Sequence, residues 1–165
     1  LKATQIGALE TTDIGQLGTD DISSLSVTQL AGFVRVQLRS LTDTQVSAFT
    51  TSQVAAFSGD QVGSLSSTRL GAFSSSQFAA LNASHVAALT SSQLSNLPTW
   101  IGSFTPAQLS GLTSTQIGGI TTTAIGALTV DQIDALTPLQ ISGFTPDQIN
   151  SLTVDQQAAI IRAIS

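Results

Sequence analysis

The chain of 165 residues contains no cysteine, no methionine and no tyrosine, and only 9% of it is charged. Without Cys there is no disulfide, no thiolate metal site and no Cys nucleophile. A single His leaves no ligand cluster for zinc. Five Lys and Arg against ten Asp and Glu give a net charge of −5, which excludes the basic footprint of a nucleic-acid-binding protein. No apolar run approaches the roughly 18 residues of a membrane span, so no membrane insertion is expected. No basic n-region followed by an apolar h-region marks a signal peptide. The missing Met predicts that the sequence is processed or cut from a longer product. With charge so scarce, the surface has to be Ser, Thr, Gln and Gly, while 41% apolar residues suffice for a core.

What is present is a repeat of eight residues. From Leu128 the sequence reads LTVDQIDA, LTPLQISG, FTPDQINS, LTVDQQAA. With the frame set at Ala3, 20 such units cover residues 3–161, one residue being missing around Trp100. Position four is apolar in 19 of the 20 units, Gln157 being the exception. Position seven is Leu, Phe or Ile in all 20. A spacing of three followed by five fits neither a strand nor one continuous helix. Eight residues at 100° each overshoot two helical turns by about 80°, so a single helix would spiral its apolar stripe around its own surface. The chain must break and restart in every unit.

Four signals place the break. Position eight is Ser, Thr or Asn in 15 units, and position three of the next unit is Gln in 14. Thr-x-x-Gln is a capping box: the hydroxyl accepts from the third helical amide while Gln reaches back to the N-cap amide. Pro106, Pro138 and Pro146 stand at the first helical position, where a missing N–H costs nothing. Eight of ten acidic residues fall in the first turn, where the helix dipole favours them. The expected fold is therefore all-α: a solenoid of about 20 very short capped helices with an eight-residue repeat. Each helix is expected to make about two turns, roughly 10 Å.

Helices this short do not persist alone, so stacking must hold them. Positions five and six are nearly all Gly, Ala or Ser, which predicts close approach of neighbouring backbones to offset the weak helix propensity of Gly. A β-solenoid is the alternative architecture, but its common repeats have other periods. If two octads form one layer, ten layers at 8–10 Å give a rod of roughly 80–100 Å. The octapeptide array spans 1–161 and is expected to continue upstream, since Leu1 occupies the seventh position of a preceding unit. Residues 162–165 form a terminal tail.

Irregular units are where a site would show. Val34 replaces the cap in AGFVRVQLRSLT, which predicts fusion of two units into one longer helix carrying Arg35 and Arg39 at i and i+4. These read as an anion or partner site or as a solvated pair on a kink. NLPTWIGSFT combines Pro98, the only Trp and the deletion; Trp100 reads as a binding spot or as a plug for the register defect, and its neighbourhood is the expected bend. His85 stands in for Gln as a tolerated substitute. Asp20-Asp21 is explained by capping without a metal. The tail QQAAIIRAIS places Ile160, Ile161 and Ile164 at helical spacing, where they would close the core. Nucleophile, base and oxyanion donor do not converge anywhere in the pattern, so no enzyme, no cofactor and no metal site is expected.

FTPAQLSGL and FTPDQINSL resemble the opening helix of transcription-activator-like effector repeats over eight or nine residues. The longer period, base-reading pairs and basic character of that family are missing, so DNA binding does not carry over. STQIGGIT, TTAIGALT and TSQVAAFS are similar to the octapeptide tracts, T-x-x-Q-[IV]-x-A-L, of very large bacterial surface and secreted proteins, and this likeness covers essentially the whole chain. It implies an adhesin-like or spacer segment located outside the cell or on its surface. The leading expectation is a structural stalk or scaffold. Alternatives are a repeat module binding protein or glycan along one face, and a filament subunit that self-associates end to end. Regularly spaced Thr hydroxyls also suit ice binding, but helix capping already accounts for them.

Overall fold

The computed structural model describes residues 1–164, apart from the side chains of residues 98 and 99. Among them are twenty α-helices and no strand, divided between two compact units, Leu1–Leu81 and Asn82–Ser165. The first unit holds α1 (Ala3–Gly7), α2 (Thr11–Gln16), α3 (Thr19–Ser24), α4 (Val27–Leu30), α5 (Arg35–Ser40), α6 (Asp43–Ser47), α7 (Thr51–Ala56), α8 (Gly59–Ser64), α9 (Ser67–Gly71) and α10 (Ser75–Ala79). The second holds α11 (Ala83–Ala88), α12 (Ser91–Ser95), α13 (Pro98–Ile101), α14 (Pro106–Leu109), α15 (Ser114–Gly119), α16 (Thr122–Ile125), α17 (Val130–Asp134), α18 (Pro138–Ile141), α19 (Pro146–Ser151) and α20 (Val154–Ile164). The division falls between Leu81 and Asn82.

The helices start where the octad places them, at position one with the N-cap at position eight. They are shorter than two turns: nineteen have four to six residues. The reason is how each helix closes. The N–H of position seven bonds the carbonyl of position four three residues back, as from Leu17 to Ile14 (3.2 Å) and from Leu136 to Ile133 (3.0 Å). This tight last turn satisfies an orphan carbonyl, and the backbone then swings to extended values at positions seven and eight, as at Leu17 and Gly18.

A break needs only half of the predicted capping box. Where position eight lacks a side-chain oxygen, position three still holds the cap amide. Gln37 Oε1 accepts the Val34 N–H at 2.9 Å, so α4 and α5 remain separate helices and do not fuse as the sequence suggested. Asp21 does the same for Gly18 (2.9 Å). Where position three cannot accept, the hydroxyl suffices, as Ser66 does for Arg69 (3.2 Å). α13 has neither device, with N-cap Leu97 and Trp100 at the third position, and begins instead on proline. Only at Ile161 and Ile164 do both devices fail without a proline to replace them, and there the helix runs on: α20 has 11 residues. Ile160 is buried, whereas Ile161 and Ile164 are 63% and 59% exposed. They do not close the core as expected. Ile161 is turned 100° from Ile160 around the axis. Ser165 lies outside the described residues.

Positions four and seven form the core of each unit: Ile14, Ile22, Leu30, Leu41, Val46 and Leu70 are fully buried. Phe49 and Phe57, at position seven of consecutive octads, meet edge to face with centroids 5.0 Å apart, a favoured aromatic geometry. Each helix packs against the one three octads away, α1 on α4, α2 on α5 and α5 on α8 in the first unit, α13 on α16 and α15 on α18 in the second. The two-octad layer is therefore not what forms. Side-chain bonds recur at 28 and 31 residues, as from Gln45 to Leu17 and Ile14, so a turn takes between three and four octads. Ten octads thus make about three turns in each unit, where two-octad layers would have given five.

Close backbone approach accompanies this winding. A Cβ built on Gly32, Gly111 or Gly143, all at position six, would lie 2.1–2.3 Å from the carbonyl oxygen of Ala3, Ala83 or Ser114, the position-one residue three octads earlier. Among the described residues no glycine has positive φ. Glycine is used here for clearance and not for conformational freedom.

Candidate functional site

The feature common to nearly every octad is the side chain at position three. Capping requires only that it accept from the N-cap amide. In the folded chain the same amide also donates, from Nε2, to two carbonyls four octads earlier, at positions four and seven. Gln37 donates to Ile6 and Leu9 (both 2.8 Å), Gln45 to Ile14 (2.8 Å) and Leu17 (2.9 Å), and Gln53 to Ile22 and Leu25 (both 2.8 Å). In the second unit Gln132 reaches Ile101 (3.1 Å) and Phe104 (2.8 Å), Gln140 reaches Leu109 and Leu112, and Gln148 reaches Ile117 and Ile120. These glutamines are buried, Gln37 to 1% exposure and Gln148 to 2%. Burial of a primary amide is tolerated because its hydrogen-bonding capacity is filled. Among the described residues no buried side-chain nitrogen or oxygen lacks a partner.

This ladder is what sequence reasoning missed. A signal was present: a capping box accepts a carboxylate as well as Gln, yet beyond Asp13 and Asp21 in the second and third octads no octad carries one at position three. A carboxylate can cap but cannot donate.

The exceptions to Gln follow the same logic. His85 Nδ1 accepts the Asn82 N–H at 3.0 Å while Asn82 Oδ1 accepts the His85 N–H at 3.1 Å. The ring is buried to 1% and fills a glutamine place, as expected. Arg69 donates from Nε to the Leu41 carbonyl and pairs with Asp43. Ala124 makes no side-chain bond and relies on Thr121 for its cap (3.4 Å).

The missing residue near Trp100 is the cap itself. Leu97 ends one octad and serves as N-cap of the next. The ladder records the loss: Gln116 reaches Val86 and Leu89, 30 and 27 residues back, in place of 31 and 28. Beyond the defect Gln132 returns to the regular offsets. The register error is absorbed within one turn. Trp100 is half-buried at the glutamine place of α13. The Pro98 side chain lies outside the described residues.

Arg35 and Arg39 are exposed on α5, in the first unit, and Trp100 belongs to the second. Asp21 caps Gly18, and no group of three or more His, Asp or Glu that could hold a metal occurs among the described residues. Arg162 forms a two-pronged pair with Asp134 (2.8 and 3.0 Å), and that hydrogen bond raises its pKa above the ordinary value. An open groove of about 600 Å³ lies between α1 and α4, lined by Leu1, Lys2, Ala3, Thr4, Ser26, Thr28 and Gln29. Lys2 is its only charged side chain. No helix is long and apolar enough to cross a membrane among the described residues.

No curated protein and no solved structure matches the chain. The letters A-L-T-x-x-Q, which run from the end of one helix through the cap to the ladder residue of the next, recur as ALTVDQ at 127–132 and ALTPLQ at 135–140. Residues 101–138 match the family model of the ALTTAQ repeat.

Proposed function

We propose that this chain is a structural scaffold or spacer segment of a larger protein exported to the bacterial surface or beyond, without catalytic activity. The observation that carries this reading is the ladder. The polar side chain that recurs most regularly is consumed by the backbone, at its own N-cap and again four octads away, and so is not offered to a ligand. The hydroxyls at position eight are committed in the same way, as with Thr42 on Gln45 and Thr145 on Gln148. What faces solvent is a run of Ser, Thr, Ala and Gly at positions one, two and five with little charge. The export component rests on the likeness to octapeptide tracts of large bacterial surface proteins, and absence of oxidisable Cys and Met suits a durable extracellular element.

The test separates a spacer from a binder. In the parent protein, the exposed residues at positions one, two and five, including Arg35 and Arg39, are exchanged for Ser, Thr and Ala from neighbouring octads, keeping positions three, four, seven and eight. A spacer keeps its helical circular dichroism, its appearance on intact cells and the parent's activity. Loss of that activity with the fold retained would overturn the spacer reading in favour of a protein- or glycan-binding face.

A further inference from the structure

Within the second unit the ladder skips a rung. Seven of its ten octads carry Gln at position three and α11 carries His85, which leaves Trp100 of α13 and Ala124 of α16. These two helices pack on each other. An indole offers no acceptor, and a methyl offers neither acceptor nor donor. By the offsets of Gln116, a glutamine at 124 would reach the carbonyls of Leu94 and Leu97. Among the described residues those carbonyls accept only backbone N–H groups, Leu94 that of Leu97, and Leu97 those of Trp100 and Ile101. No acceptor is stranded, so the α16 octad is loosely tied without being strained.

One hydroxyl stands in for the missing amide. The Thr121 N–H, which a glutamine at 124 would accept, donates to Ser95 Oγ of α12 at 3.0 Å. Among the described residues this is the hydrogen bond that holds residues 121–128 to the preceding turn. The cap bond from the Ala124 N–H to Thr121 Oγ1 is 3.4 Å, against 3.1–3.3 Å for the hydroxyl caps on Gln in the same unit. The octads on either side are tied back twice, α15 by Gln116 to Val86 and Leu89, and α17 by Gln132 to Ile101 and Phe104. Apolar burial does not set α16 apart, since Ile125 and Leu128 are as buried as Ile133 and Leu136. The difference lies in the ladder alone.

We propose that residues 121–128 are the yield point of the second unit: the α16 octad lifts from α12 and α13 while α15 and α17 stay in place, giving the array slack at one defined position. Local opening begins in the element with the fewest ties. Two ladder bonds fewer correspond to opening about ten- to a hundredfold more often. The use of that slack rests on the spacer reading. The opening itself does not, and its failure would leave a stiff spacer untouched.

The experiment is amide hydrogen exchange read by NMR on the 165-residue chain. Ile125 and Ile133 are matched, each donating to the threonine carbonyl at its own N-cap, and Leu128 and Leu136 are matched in closing their helices. In the wild type the Ile125 and Leu128 amides are expected to exchange about ten- to a hundredfold faster than those of Ile133 and Leu136. Ser95→Ala removes the remaining tie and should speed Ile125 and Leu128 by about a further fivefold, while Ile141 and Phe144 keep their rates. Ala124→Gln supplies the cap acceptor and both ladder donors, and should slow Ile125 and Leu128 to the rates of α17. Equal rates in the wild type would overturn the proposal. So would a folded Ala124→Gln chain in which these amides stay fast. A Ser95→Ala effect that is absent, or spread evenly over the unit, would overturn it too, because a fault confined to the α16 cap has no reason to respond to a hydroxyl 26 residues away. If Ala124→Gln does not fold, the wild type and Ser95→Ala decide.

Discussion

Gln140 joins two parts of the chain 31 residues apart: its Nε2 lies 2.7 Å from the carbonyl oxygen of Leu109, while its Oε1 accepts the Thr137 N–H at 3.0 Å. One side-chain amide thus starts its own helix and ties it to the preceding superhelical turn. Local and long-range order depend on the same residue type, which explains why fragments too short to be helical alone are held in register.

Gln140→Glu separates the two roles. The carboxylate still accepts from Thr137 but faces the carbonyls of Leu109 and Leu112 without a proton. Two buried acceptors then lose their donor, at about 1–3 kcal/mol each. Urea unfolding at pH 7 is expected to show a loss of about 2–6 kcal/mol by that reasoning. Burial against two carbonyl oxygens raises the folded pKa of the acid above the ordinary Glu value, and once protonated it can donate again, so the deficit relative to wild type should shrink as pH falls toward about 4 and level off below it. The same change at exposed Gln5 should stay within about 0.5 kcal/mol. Equal losses at both positions would count against the ladder.

His85→Gln returns the repeat's own residue to a buried ladder place, so stability should change by less than about 1 kcal/mol, and a gain is the expected sign. His85→Leu leaves the Asn82 amide without its acceptor and should cost about 1–3 kcal/mol. Thermal melts of the two variants compare them directly.

Glycines are predicted to split by position. Gly111→Ala places a methyl 2.1 Å from the Ala83 carbonyl oxygen, where backbone must move; a loss of about 1–3 kcal/mol is expected from overpacking. Gly15, inside α2, has nothing within 4 Å of where a Cβ would stand, so Gly15→Ala should stabilise by about 0.5–1 kcal/mol through helix propensity. Opposite signs in denaturant unfolding check the close-approach argument.

Val34→Thr adds the hydroxyl that α5 lacks. Gln37 already holds the cap amide, so the second half of the box is expected to add about 0.5–1 kcal/mol. Thr137→Ala removes that half from α18 and should cost about as much. If neither variant shifts the unfolding midpoint, the hydroxyls are ornamental to the break.

The octad alone determined the fold class, the helix starts and the core. Caps and apolar positions act within a few residues, so Thr137, Gln140 and Ile141 announce a helix start and a buried face without reference to anything distant. The role of His85 was legible for the same reason. The fate of Val34 was not, because losing a hydroxyl looks decisive until the remaining Gln37 contact is seen to suffice. The overextended α20 and its exposed Ile161 and Ile164 follow from that same rule once it is known. Only the tertiary structure decided that a turn takes between three and four octads and that Gln reaches back 28 and 31 residues. Those offsets depend on the rotation accumulated over several units, summed over the extended backbone at positions seven and eight of each, which no single octad encodes.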